Sequence, residues 1–547
     1  MGEQGVLGGA ITLMGAAALS RALGAVAHIV LPRLMGAEAM GLLQMAYPVY
    51  SVFLAVALAG VPLAISRLVA EELAAGRGEN ARQILKVALR LLFTSGLGLA
   101  LGLFWGAEPI ARRILKDAAA AGVLKAIAPG LFFLPLNAGL RGYFHGHQEM
   151  FPSAAAQVVE QCLRVTAMIG LAAFLAPQGR EAVATGAALG TAVSSAAGLA
   201  ALLFFYWFRQ PPRTRSRAER AKGKSAPLPP GQVLARLWRL ALPTTLATVA
   251  VPLINALDAA IVPRRLQELG YSLEVTRRLY GQLSGMAMAL VYFPTIVTLS
   301  LSSSLVPAVA QAVAWRDRRL LHRRFREALE ITFLWSVPCA AGLYVLAAPI
   351  AAMLFGDAGP ARPLVFLAPG IIFLCLQETT TGLLQGLGRP LEPVKNFLLA
   401  SLLKGAATYF LTGFPALGVL GAALGTVLGF AAAALLNLAS ALRYGSLPQP
   451  PVGLVLRPLT AAALMAALVR STYLALEAGW LMATGVSHNT LSTLVSILMG
   501  ALTYAGALAA LGGLPPYLVQ ALERIWNGRG KRSFSGPWRM GRKGWWS

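Results

Sequence analysis

Long apolar runs recur along this chain, separated by short breaks rich in Gly, Pro and Arg. A bilayer core is crossed by about 20 predominantly apolar helical residues, and the runs match that length. The pattern predicts fourteen helical spans, at 7–32, 41–68, 84–106, 122–144, 153–176, 182–208, 233–263, 278–308, 327–354, 361–386, 392–412, 418–442, 455–476 and 491–512. The expected fold class is an all-α polytopic membrane protein with about fourteen transmembrane helices.

Composition supports that class. The 547 residues are 57% hydrophobic and 13% charged, with mean hydropathy +0.64. A soluble domain is about 45–50% apolar and about 25% charged. The net charge of +25 would point to nucleic acid in a soluble protein. Here the bases cluster between spans, so they are read as topology signals and contacts with anionic membrane lipids, with no nucleic-acid partner. With the N-terminus cytoplasmic, inside segments hold most of the Lys and Arg, so both termini are expected inside. The N-terminus has no basic leader or cleavage pattern and reads as a retained first span. Cys162, Cys339 and Cys375 all fall within spans, which predicts neither a disulfide framework nor a zinc site.

The longest inside loop, RQPPRTRSRAERAKGKSAPLPPGQ, is basic and Pro-rich and reads as a disordered linker at 209–232. Its Gly223-Lys224-Ser225 lacks the glycine a phosphate-binding loop needs, because position 218 is Ala218. The chain on either side is repeated. APGLFFLPLNAGLRGYFHG (128–146) aligns with APGIIFLCLQETTTGLLQG (368–386), 240 residues later, and IVLPRL (29–34) resembles IVPRRL (261–266). The copies start six spans apart and share an orientation. This predicts two six-helix lobes, 1–208 and 233–443, related by an axis along the membrane normal, with a site between them. Segment 444–514 adds helices thirteen and fourteen, and 515–547 forms a basic, Trp-bearing tail at the cytoplasmic interface.

Several ionisable residues fall inside the spans: Arg21 in the first, Glu160 and Arg164 in the fifth, Asp258 in the seventh, Glu378 in the tenth and Lys404 in the eleventh. Each costs about 2.5–3.5 kcal/mol at mid-bilayer on insertion scales, so such residues usually face a wet or protein-lined interior. Gln157, Glu160, Gln161 and Arg164 share one helical face. Thr244, Thr248, Asn255 and Asp258 form a stripe on the seventh span, as Glu378, Thr381 and Gln385 do on the tenth. Glu160 and Arg164 could simply neutralise each other four residues apart. With one residue inserted before Pro393, relative to Pro152, Arg164 falls beside Lys404. Paired cations with Arg21 suit a diphosphate or another anionic headgroup. Asp258, Glu378 and His28 are candidates for a coupling proton or sodium ion. His145-x-His147 lacks a third ligand, so no metal site is expected. Gly142-x-x-x-Gly146 is a close-packing pattern of membrane helices. No cofactor is expected, and no Asp-x-Asp pair or long outer loop supports an enzyme.

LSRALGAVAHIVLPRLMGAEAMGLLQMAYPVY (19–50), GVPLAISRLVAEE (60–72) and RGYFHGHQEMFPSAAAQVVEQCLRV (141–165) resemble the stage V sporulation protein B branch of polysaccharide exporters. That branch belongs to the multidrug/oligosaccharidyl-lipid/polysaccharide (MOP) flippase superfamily, with the MurJ-type lipid II flippases. The resemblance implies a MATE-like V of two six-helix lobes, alternating access and a polyprenyl-diphosphate-linked sugar as cargo. It implies a headgroup-binding role for Arg21 and a lipid-tail groove at helices thirteen and fourteen. It also leads one to expect several cavity arginines on the first two spans. The second span offers only Arg67, at its cytoplasmic end, where a gating role fits better.

These readings converge on a flippase of the bacterial cytoplasmic membrane, expected to be a monomer and driven by membrane potential or an ion gradient. The alternatives are a cation-coupled multidrug exporter of the same fold, which would want an acidic first span, and a scaffold for cell-wall enzymes. The expected cavity residues are Arg21, Gln157, Glu160, Gln161, Arg164 and Lys404.

Overall fold

The computed structural model describes residues 3–58, 60–208, 228–447, 451–484 and 488–513. Most of the expected linker and the whole expected tail lie outside the described residues, as does the Thr244 side chain. The chain divides into two compact units, Met1–Gln449 and Pro450–Ser547.

Among the described residues the secondary structure is helical throughout. The first half comprises α1 (Glu3–Leu58), α2 (Val61–Ala74), α3 (Gly78–Pro109), α4 (Ala120–Ile127), α5 (Gly130–Gly146), α6 (Phe151–Leu175) and α7 (Arg180–Phe208). The second half comprises α8 (Pro230–Glu268), α9 (Leu273–Tyr280), α10 (Met288–Tyr292), α11 (Thr295–Ala314), α12 (Arg318–Val345), α13 (Ala347–Phe355), α14 (Ala361–Leu367), α15 (Gly370–Gly386), α16 (Leu391–Thr412) and α17 (Val419–Gly445). A π-helical turn, Gly281–Ala287, joins α9 to α10. The second unit contains α18 (Gly453–Thr484) and α19 (Asn489–Ala510), where Gly500 lies against Val469 and the Tyr473 hydroxyl donates to Asn489 at 2.8 Å.

Among the described residues the fourteen expected segments fall mainly on helix, but the expected count of spans is not reached on length and composition. Ten helices qualify among the described residues, or eleven if α14 and α15, bent by 49°, form one span. One of the ten is the 60-residue stretch Gly15–Ala74. At 1.5 Å per residue that is about 90 Å, far beyond one hydrocarbon core. It is interrupted twice. Gly36 (φ 74°, ψ 168°) breaks the helix within α1, and Gly60 (φ 66°) sits between α1 and α2. Both have the positive φ that glycine adopts without penalty. Helix α16 is not among the ten, and Lys395, Asn396 and Lys404 lower its hydropathy.

The internal repeat is visible as the same contacts in the same register. Ala-Pro-Gly ends α4 and starts α5 at 128–130, and it ends α14 and starts α15 at 368–370. Proline cannot donate to the preceding turn, so the same interruption recurs. A methyl group on Gly142 would lie 2.5 Å from the Pro62 carbonyl oxygen, and one on Gly382 2.7 Å from that of Ser302. Gly146 abuts Val69 and Gly386 abuts Val309 in the same way, at 2.7 Å each. Every one of these partners is displaced by 240 residues. Residues 92 and 332 extend the series: Leu92 touches Gly139, while Thr332 hydrogen-bonds Thr379 at 2.7 Å.

Two apolar cores organise the first unit. The larger draws on both halves, including Met35, Met40, Leu103, Leu124 and Val183 from the first, and Val262, Leu283, Phe355, Leu364 and Ile371 from the second. The smaller gathers Ile65, Val69, Leu85, Leu92, Leu140, Phe144 and Leu202 of the first half. Its second-half contribution is Val233, Leu237 and Ala241, all from the start of α8. Val309, Phe325 and Leu384, the counterparts of Val69, Leu85 and Phe144 across the repeat, are buried but join neither core. The halves thus share a core at one end of the bundle and keep separate packing at the other, except where α8 begins.

Candidate functional site

Glu160 is the centre of the first-half site. Burial of Pro152, Ser153 and Ala156 on the face of α6 that also carries Glu160 turns its carboxylate toward α5 and α7. Its carboxylate accepts from Arg164 Nη2 at 2.7 Å, one helical turn on, and from Arg141 Nη2 of α5 at 2.7 Å. The Glu160 side chain is 8% exposed and each arginine 28%. Gly198 of α7 makes the room, because a methyl there would lie 3.0 Å from Glu160 Oε2 and 3.1 Å from Asn137 Nδ2. Asn137 in turn donates to the Ser195 carbonyl at 2.9 Å. Each arginine satisfies the carboxylate through a single Nη, and the Nε atoms of both are buried without a partner among the described residues. Three formal charges with a net of +1 leave the cluster able to accept a further anion.

Lys404 of α16 is held by Asp258 of α8, its ammonium donating to Asp258 Oδ2. Lys404 is 12% exposed and Asp258 20%. Gly429 of α17 lies against the lysine stem, 2.7 Å from Cβ to a methyl placed there. Glycine contacts between the last two helices of each half set the register of the two cations. Gly186 meets Leu171 as Gly421 meets Leu411, and Gly190 meets Met168 as Gly425 meets Thr408. On α6 and α16 the displacement is 240 in both cases, so Arg164 is the counterpart of Lys404 itself. The expected one-residue insertion is absorbed before these contacts.

The expected site residues are sorted by this geometry. Arg164, Glu160 and the unexpected Arg141 form one cluster, and Lys404 and Asp258 form a second within the other half. Gln161 reaches α1, its amide 3.4 Å from a methyl placed on Gly24, one turn from Arg21. Arg21 and His28 are exposed on α1 and form no ion pair among the described residues. Gln157 is half-buried a turn before Gln161. Glu378 of α15 is half-buried and forms no hydrogen bond or ion pair among the described residues. Arg67 is 66% exposed and pairs with Glu71 along its own helix at 2.9 Å, with no ion pair to the second half among the described residues. No group of three His, Cys, Asp or Glu is placed to hold a metal among the described residues. His147 Nδ1 instead faces the Tyr143 carbonyl at 3.0 Å.

Arg141 is not among the residues the sequence singled out for the cavity. Its relation to Glu160, nineteen residues away across a helix turn, is a tertiary fact.

Repeated helical halves, with ion pairs between their helices and ten helices apolar and long enough to cross a membrane among the described residues, define a polytopic membrane protein. A family model described as "Polysaccharide biosynthesis protein" matches residues 6–313, and one described as "MatE" matches 283–410. The chain belongs to the polysaccharide biosynthesis protein family, within the MOP flippase superfamily. It is 30% identical to stage V sporulation protein B of Bacillus subtilis over 80% of this chain and 84% of that one. It is 25% identical to the lipid II flippase MurJ of Bacillus subtilis over 76% and 79% respectively. Among solved structures it resembles an inward-facing multidrug resistance MATE transporter of the MOP superfamily, with TM-score 0.62 and 18% identity over 78% of this chain and 94% of that one. It also resembles the lipid II flippase MurJ in an inward closed conformation, with TM-score 0.63 and 17% identity over 92% and 98%.

Proposed function

We propose that this protein flips a polyprenyl-diphosphate-linked oligosaccharide or peptidoglycan precursor from the inner to the outer leaflet of the bacterial cytoplasmic membrane by alternating access. The carrying observation is the pair of cations at equivalent register, Arg164 and Lys404, each held inside its own half by a carboxylate. A resident counter-ion lets a transporter keep a cation within a span without cargo. The first-half cluster has surplus positive charge and unpaired Nε–H donors, which favours binding of the diphosphate there. Phosphate oxygens displace Glu160 from one arginine while both guanidinium groups stay satisfied. Arg21, exposed near Gln161, extends the same face toward the incoming headgroup.

The second half suits the coupling ion. Asp258, Lys404 and Glu378 sum to a net −1, and Glu378 is the carboxylate left without an ion-pair partner. Proton or sodium binding there, or the membrane potential acting on the net charge, supplies the drive. One elementary charge moved across 100 mV is worth about 2.3 kcal/mol. The bias of Lys and Arg toward alternate loops supports cytoplasmic termini and an enriched contact with anionic lipids. The names and family of its relatives are consistent with the lipid-linked cargo class.

The test is reconstitution in liposomes with fluorescent lipid-linked sugars, with ion gradients imposed one at a time. Arg164→Ala and Lys404→Ala should abolish flipping while the protein remains folded in the membrane. Normal flipping by both variants removes these residues from the mechanism. Transport of an organic cation in place of the lipid would favour the multidrug exporter.

A further inference from the structure

At the end where the halves share a core, Arg277 of α9 is buried among three carboxylates of the first half. It makes two bonds to Asp117, Nε to Oδ2 at 2.6 Å and Nη2 to Oδ1 at 2.7 Å. Its Nη1 lies 3.1 Å from Glu181 and 3.5 Å from Glu38. Arg277 is 11% exposed and Asp117 1%. The hydrogen bonds to Asp117 hold the guanidinium pKa above its usual value, against the opposing effect of burial. These residues come from four separate places in the chain: Glu38 just after the Gly36 kink within α1, Asp117 between α3 and α4, Glu181 in the first turn of α7 and Arg277 in α9. The backbones beside them touch directly. A methyl on Gly41 would clash with the Arg277 carbonyl oxygen, and one on Gly281 with that of Ala37. Gly281 opens the π-helical turn, a backbone form frequent at functional sites.

None of this belongs to the Glu160 and Lys404 clusters, yet among the described residues it ties three carboxylates of the first half to one cation of the second. We infer that Arg277 is the lock of the outer gate: the Gly41–Gly281 seam seals the transport path, and withdrawal of Arg277 from Asp117, Glu38 and Glu181 opens it. Withdrawal leaves three carboxylates facing one another on the first half with their shared cation removed. Their mutual repulsion penalises the open state and favours reclosure. The assignment of this end to the outer face rests on the loop-charge orientation used in the proposed function.

The test uses full-length protein with Cys162, Cys339 and Cys375 replaced by Ala and a single reporter, Gln157→Cys, in sealed proteoliposomes of known orientation. A membrane-impermeant maleimide is added to one face at a time. Arg277→Gln should raise labelling from the outer face about tenfold, because one decade corresponds to losing only part of a charged hydrogen-bond cluster. Gly281→Val should raise it too, by wedging the seam without touching a charge. The swap Arg277→Asp with Asp117→Arg should restore most of the protection. Unchanged labelling in both Arg277→Gln and Gly281→Val overturns the lock, as does a swap that protects no better than Arg277→Gln alone. Increased labelling from the face of the 209–232 linker would keep the lock and reverse the orientation. None of these readouts needs cargo, so a failed flipping assay leaves the result interpretable.

Discussion

Removing one member of the Lys404–Asp258 pair should cost far more than removing both. The pair joins α8 to α16, with the ammonium 12% and the carboxylate 20% exposed. Asp258→Leu leaves the Lys404 charge without its partner, and Lys404→Met leaves the carboxylate. Breaking a buried pair from one side costs about 3–5 kcal/mol. The residual exposure of both groups points to the lower end, about 3 kcal/mol, or more than about 100-fold in the unfolding equilibrium. Methionine keeps the unbranched stem that Gly429 accommodates, so Lys404→Met does not overpack that contact. With both substitutions no charge remains to be desolvated, and the double variant should lie within about 1–2 kcal/mol of the parent. The assay is reversible unfolding in mixed micelles by denaturing-detergent titration, read as a double-mutant cycle. Additive losses, or single variants each within about 0.5 kcal/mol of the parent, would refute the reasoning.

Glu160→Gln should destabilise the protein by about 2–4 kcal/mol, because two guanidinium groups then share a neutral amide; thermal melting in nanodiscs checks it. Gly142→Val and Gly382→Val should lower stability by similar amounts, about 1–3 kcal/mol each, since both force a side chain into a neighbouring carbonyl. A large loss in one with none in the other would argue against equivalent packing of the repeats. Arg67→Ala should change stability by less than about 0.5 kcal/mol and leave flipping intact, because its pair with Glu71 is solvent-exposed. A transport defect there would restore the gating role expected from its position.

How much was legible in advance differs between fold and site. Helix after helix followed from apolar run length, and the repeat from matched Ala-Pro-Gly and glycine positions, because each is a local property of the chain. Arg164, Glu160, Asp258 and Lys404 stood out for the same reason: an ionised group inside an apolar run is costly wherever the run ends up. The merging of spans at Gly15–Ala74 was less legible, since it depends on whether a helix continues through a kink. For Arg67 the sequence gave a depth but not a face, and only the structure shows its pairing with Glu71.

By itself the sequence determined that this is a helical membrane protein, duplicated, with ions in its spans. Tertiary structure alone decided which charges meet. Asp258 and Lys404 are 146 residues apart, and Arg277 and Asp117 are 160 apart. Helical periodicity orders neighbours three or four residues away and carries no information at such separations. Packing of the two halves does, because glycine seams fix how closely, and in what register, the helices that bear those charges approach.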